Sequence, residues 1–183
     1  MGFAKGKTKL DKKTKLLITE QMKLAKKLIR AKQAVSYSKI VSRTPPDKIY
    51  LEPGFVLKSK DLYKLFRNSK IVYGFAVTIG PLLEAKRNAL MAEKESARAV
   101  ILDAIGSVAV EDLAEAANNS IKLKMQNKNG TTTRRFSPGY GDWRIQNQKE
   151  FLKWLGAQEI GIKLTPSYQM VPEKSLTAVI GTT

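Results

Sequence analysis

The sequence contains neither cysteine nor histidine. Their absence removes thiolate nucleophiles, disulfides, imidazole bases and the two commonest transition-metal ligands together. Chemistry here must rest on carboxylates, hydroxyls, lysine, arginine, backbone groups or a borrowed cofactor, and no metal site is expected. Long apolar runs are also missing. No stretch approaches the roughly 20 apolar residues of a membrane span, and the lysine-rich N-terminus is not followed by the unbroken apolar segment of a secretory signal. A soluble cytoplasmic protein with no membrane attachment is expected. There is no phosphate loop, no GxGxxG, no carboxylate pair at obvious spacing and no zinc pattern.

Acidic residues are scarce, 16 against 33 Lys and Arg, for a net charge of +17. The imbalance is uneven: residues 1–43 hold 13 basic against 2 acidic residues, whereas residues 81–120 hold 4 against 7. A positive field raises encounter rates with acidic partners, nucleic acid or protein, without choosing between them. At 183 residues and 43% hydrophobic content the chain can fill one core.

Residues 1–13 are Lys- and Gly-rich and read as a flexible basic arm, with a single domain over 14–183. From Thr14 to Lys32 the apolar residues fall in two adjacent helical rows, Leu17, Leu24, Leu28 and Ile18, Met22, Ala25, Ile29, which predicts an amphipathic helix packed on the core. Ile49 to Leu51 predicts a short strand before the Pro53-Gly54 turn. Ser59 with Asp61 predicts the cap of a short helix carrying Leu62, Leu65 and Phe66 inward. The run Ile71 to Ile79, IVYGFAVTI, predicts a buried central strand, and Pro81 the first position of the next helix. A long helix over about Glu95 to Ser120 has a row of small residues, including Ala99, Gly106, Ala114 and Ala117, suited to close packing. Gln146 to Leu155 reads as a helix; Ile160, Ile162, Leu164 and then Leu176, Ala178, Ile180 alternate as strands. The class that fits is α+β, one domain with a mixed or antiparallel twisted sheet flanked by helices.

The stretch RRFSPGYGDW, Arg134 to Trp143, stands apart. Gly139 and Gly141 bracket Tyr140, giving the backbone conformations closed to other residues and letting it approach a ligand. If the turn folds back, Arg135 and Tyr140 offer a guanidinium and a phenol beside exposed amides, a set suited to a carboxylate or phosphate. A purely structural reading is a rigid Pro-Gly turn with Trp143 in the core and Asp142 capping the next helix. The residues alone leave both open.

Four segments together, FAVTIGP (Phe75 to Pro81), ILDAIGSVAVEDLAEA (Ile101 to Ala116), RFSPGYGDW (Arg135 to Trp143) and GIKLTPSYQMVPEKSLTAVIG (Gly161 to Gly181), resemble the activation (reactivation) domain of cobalamin-dependent methionine synthase and its stand-alone relatives. They occur in family order and cover most of the chain after about residue 45. The resemblance implies an activation-domain-like fold and binding of S-adenosylmethionine. It implies an activation component of a methyltransferase in methionine biosynthesis, which supports reductive remethylation of oxidised cob(II)alamin (vitamin B12). The cobalamin would be carried by a separate methionine synthase core or similar corrinoid protein, with a flavodoxin-like electron donor.

By the same resemblance, Arg135 pairs with the methionyl carboxylate and Ser137, Pro138 and Gly139 line the ligand site. Tyr140 lies near the reacting methyl as the catalytic-site residue, and Glu115 is an acid that contacts the ligand. The ligand's own groups agree, since an ammonium, a carboxylate and a sulfonium call for an acid, a guanidinium and aromatic surface. A second family acid and a later family tyrosine have no match, nor does any aspartate of the basic N-terminal region match the family's early ligand contact. The basic N-terminal helix is a docking surface for an acidic partner on this reading. The alternative is a non-enzymatic basic adaptor for nucleic acid or an acidic protein, distinguished by steep salt dependence and indifference to Arg135 and Glu115. The resemblance does not expect nucleic acid.

Overall fold

The computed structural model describes residues 11–183. Helix α1 (Lys12–Leu28) begins where the Asp11 carboxylate accepts from Thr14 N at 2.7 Å, satisfying one of the free donors of the first turn. It starts two residues before the expected Thr14 and stops at Leu28, well short of Lys32. Of the expected arm over 1–13, residues 1–10 lie outside the described residues.

Strand β1 (Lys32–Thr44) follows, where the sequence predicts none. Its alternation is inverted. Val35, Tyr37 and Val41 are exposed, while Ser36 and Ser38 face inward and bond Trp154, Ser36 Oγ to the carbonyl oxygen and Trp154 Nε1 to Ser38 Oγ, each at 3.3 Å. Strands β2 (Lys48–Leu51) and β3 (Phe55–Lys58) form a hairpin, and α2 (Lys60–Leu65) starts at the expected cap, Ser59 Oγ accepting from Leu62 N at 3.0 Å. Strand β4 (Ile71–Thr78) is the buried central strand that its apolar run predicts. Pro81 caps α3 (Leu82–Ala92), α4 (Ser96–Gln126) is the longest helix among the described residues, and α5 (Gln148–Leu155) follows a 3-10 turn at Ile145–Asn147.

Ile160 and Ile162 are not in a strand. Gly156 and Gly161, at φ +65° and +87°, wind Ala157–Ile160 into a 3-10 turn, leaving only β5 (Lys163–Leu164) to pair with β6 (Met170–Val171). Strand β7 (Ser175–Thr182) carries the last expected alternation.

The main sheet has the order β3-β2-β1-β4-β7, and each neighbouring pair is antiparallel. Because side chains alternate along β4, Tyr73, Phe75 and Val77 pack under α1, α3 and α4, while Val72 and Ala76 meet Phe136, Trp143 and Phe151 on the other face. The result is the α+β architecture with an antiparallel sheet flanked by helices. Phe66, Phe75 and Phe151 are fully buried, each worth about 2 kcal/mol of apolar burial. Gly74 permits the contact between β4 and α5: a Cβ there would overlap the Trp154 ring and stand 2.9 Å from Phe151. Among the described residues no helix is long and apolar enough to cross a membrane.

Candidate functional site

The segment leading to the site is laid along the edge of β7. Thr133 N donates to Gly181 O at 2.9 Å, and Phe136 and Val179 exchange backbone hydrogen bonds at 3.0 and 2.8 Å. In extended backbone successive side chains point to opposite sides. Phe136 therefore turns to Trp143, ring centroids 6.5 Å apart, and Arg135 turns to α4.

There Arg135 Nη2 donates to Glu111 Oε2 at 2.7 Å, while Arg135 Nη1 is buried with no hydrogen-bond partner among the described residues. A guanidinium presents a fork of donors that a carboxylate satisfies two at a time, so one prong stands ready for a second anionic oxygen.

The turn beyond is closed on itself. Gly139 N donates to Trp143 O at 2.7 Å, Tyr140 N to Ser137 O at 3.2 Å and Trp143 N to Tyr140 O at 3.0 Å. Gly139 and Gly141 take φ of +95° and +52°, the left-handed region that the motif requires. Trp143 is buried at 1% exposure, whereas Tyr140 is 68% exposed. The structural reading and the ligand-loop reading are thus compatible: the turn is rigid and anchored, and it holds a free aromatic ring outward.

Asp142 is the anchor, and it does not cap the following helix. It accepts from Ser59 Oγ, from Lys60 N at 2.7 Å and from Asp61 N at 3.2 Å, so it closes the N-terminus of α2 instead. Desolvation pushes its carboxyl upward, but these donors outweigh it and hold the group below its ordinary value.

Two clefts meet at this turn. The smaller, about 270 Å³, is lined by Glu111, Arg134, Arg135, Phe136, Ser137, Tyr140 and Leu176. The larger, about 520 Å³, shares Ser137, Tyr140 and Leu176 and adds Pro138, Gln148, Tyr168 and Thr177 among others. Arg135, Ser137, Pro138 and Tyr140 are therefore brought together, with Gly139 in the same turn. Glu115 is not among the lining residues. It is exposed, its carboxylate 3.4 Å from Asn118 Nδ2, and the acid at Arg135 is Glu111, one turn earlier on the same helical face.

The far wall, the segment between β5 and β7, is held from below. Arg87 of α3 bonds Glu173 at 2.7 Å and Asp103 at 2.9 Å, Lys174 reaches Asp103 at 2.8 Å, and Glu173 N donates to Glu84 at 2.9 Å. The Arg87 hydrogen bond holds the Glu173 carboxyl low, and the acids in turn raise Arg87. Gln148, 2% exposed, forms the floor, its Nε2 donating to Thr177 Oγ1 at 2.9 Å. Sequence reasoning missed Glu111, Gln148, Tyr168 and Thr177. Only Glu111 carries a usable signal, four residues before Glu115.

No curated protein matches the sequence. Among solved structures the fold is similar to the MetH reactivation domain crystallised bound to AdoHcy, with a TM-score of 0.70 and 17% identity, covering 92% of this chain. The chain spans 65% of the length of that one, and at this identity the likeness speaks for the fold. The sequence itself matches the vitamin B12 dependent methionine synthase activation domain over residues 65–183, a stretch that contains β4, α4, the Arg135–Trp143 turn and β7. The chain belongs to the family of vitamin B12 dependent methionine synthase activation domains.

Proposed function

We propose that the chain binds S-adenosylmethionine across the two joined clefts. In this role it is the activation component of a cobalamin-dependent methionine synthase, or similar corrinoid methyltransferase, whose cobalamin is carried by another polypeptide. The observation that carries the reading is Arg135, a guanidinium with one prong on Glu111 and the other buried and without a hydrogen-bond partner among the described residues. The residues fit the ligand. The Arg135 fork suits an α-carboxylate and Glu111 suits the adjacent ammonium, with Glu115 a second carboxylate one turn along. The larger cleft has room for the nucleoside, and AdoHcy, bound by the similar domain, differs from S-adenosylmethionine by the methyl group and its charge.

When bound, the two groups supply a sulfonium methyl and a cobalt that accepts it after one-electron reduction by a flavodoxin-like donor. The protein's own part is placement. Arg135 and Glu111 fix the amino-acid end, and Ser137, Pro138 and Gly139 give the ligand a rigid backbone wall. Tyr140 presents its ring on the open side, where a partner chain approaches. Holding reactants in line removes much of the barrier of a bimolecular transfer, and the hard chemistry belongs to the cofactors. The chain is not competent alone on this reading.

Isothermal titration with S-adenosylmethionine tests it. Saturable binding is expected for the wild type, weakened at least about tenfold, or about 1.4 kcal/mol, in Arg135→Ala; equal binding by the two proteins would remove the proposal.

A further inference from the structure

A second groove, about 550 Å³, runs along the surface between α1 and α4 and shares no lining residue with the two clefts at the site turn. Its walls are apolar: Ile18, Met22 and Ile29 from α1 face Ile101, Ile105 and Val108 from α4. Met22 is 49% exposed and Val108 61%. An apolar depression bordered by protruding apolar side chains is the mark of a contact surface. The rim is charged on both sides and with opposite sign, Lys26 on α1 and Asp112 on α4. Neither takes part in an ion pair among the described residues.

We propose that this groove is the contact face of a symmetric dimer of the chain. Met22 and Val108 of each copy enter the groove of the other, and Lys26 of each copy pairs with the partner's Asp112. The charges select this occupant. An acidic protein laid on the groove satisfies Lys26 and is repelled by Asp112, and a basic one does the reverse. A two-fold axis satisfies both, because in an isologous contact residue i meets j while j meets i. The acidic side is also the scarce one. On α4 the carboxylates of Asp103 and Glu111 already meet Arg87, Lys174 and Arg135, whereas Asp112, at the groove, is in no ion pair among the described residues.

Sedimentation equilibrium of the full chain tests the proposal. The wild type is expected at twice the 20.4 kDa chain mass. Val108→Lys, at an exposed position, is expected to raise the dimer dissociation constant at least about tenfold with an unchanged circular dichroism spectrum. Lys26→Glu and Asp112→Lys are each expected to be monomeric, and their equimolar mixture to dimerise, since the mixed pair restores one attraction at each end. A wild type that remains monomeric up to about 1 mM would overturn the proposal. So would a dimer indifferent to Val108→Lys, or single-charge variants that mixing fails to rescue.

Discussion

Arg135 and Glu111 join a β-edge segment to the long helix α4 through a 2.7 Å ion pair, and the same guanidinium keeps its Nη1 buried and unpaired among the described residues. If Glu111 serves the ligand's ammonium, Glu111→Gln weakens S-adenosylmethionine about tenfold while leaving binding of an analogue without the amino group unchanged. Equal loss for both ligands would make Glu111 a support for Arg135 only.

Tyr140 is exposed and its backbone, not its ring, holds the turn. Tyr140→Ala is therefore expected to keep thermal stability within about 0.5 kcal/mol of wild type. Calorimetric binding of S-adenosylmethionine should nonetheless weaken. A variant that melts early and binds normally would assign the ring to the core instead.

Gly74 sits beneath α5 with no room for a side chain. Gly74→Ala drives a methyl into the Trp154 and Phe151 rings, and overpacking of a filled core costs about 1–3 kcal/mol. Urea denaturation checks this. A midpoint equal to wild type would mean that α5 shifts freely on the sheet.

Asp142 gives a pH signature. Its carboxyl is held below the ordinary value, against desolvation, by Ser59 and the Lys60 and Asp61 amides. Its contribution is therefore complete above the unfolded pKa of about 3.9 and is lost as pH falls through the lower folded value. Asp142→Ala should lower stability at pH 7 by about 1 kcal/mol, the usual worth of a helix cap. The gap to wild type should close below about pH 4. A gap constant down to pH 2 would remove charge from the explanation.

These residues also show how far the sequence was legible. The β4 run, the Ser59 cap, α4, β7 and the rigid glycines of the site turn were all readable, because each depends on neighbours a few positions away. β1 was hidden because its apolar residues point outward and small serines point in, against the usual polarity. Ile160 and Ile162 alternate like a strand, but the left-handed glycines on either side coil them. Within the site, Arg135 and Tyr140 were found from the motif. Glu111 was not, since its place beside Arg135 depends on where an extended segment meets a helix. Nor could Asp142's partner be read, because Ser59 and α2 lie some 80 positions earlier in the chain.

Ser59 and Asp142 are 83 positions apart. The turn that carries Tyr140 is therefore seated by a contact of long sequence separation, and such contacts form late because a large loop must close first. The local hydrogen bonds of the turn give it its shape, but its seat on the domain is fixed by the N-terminus of α2, so a change at Ser59 would be felt at Tyr140 although the two are remote in sequence.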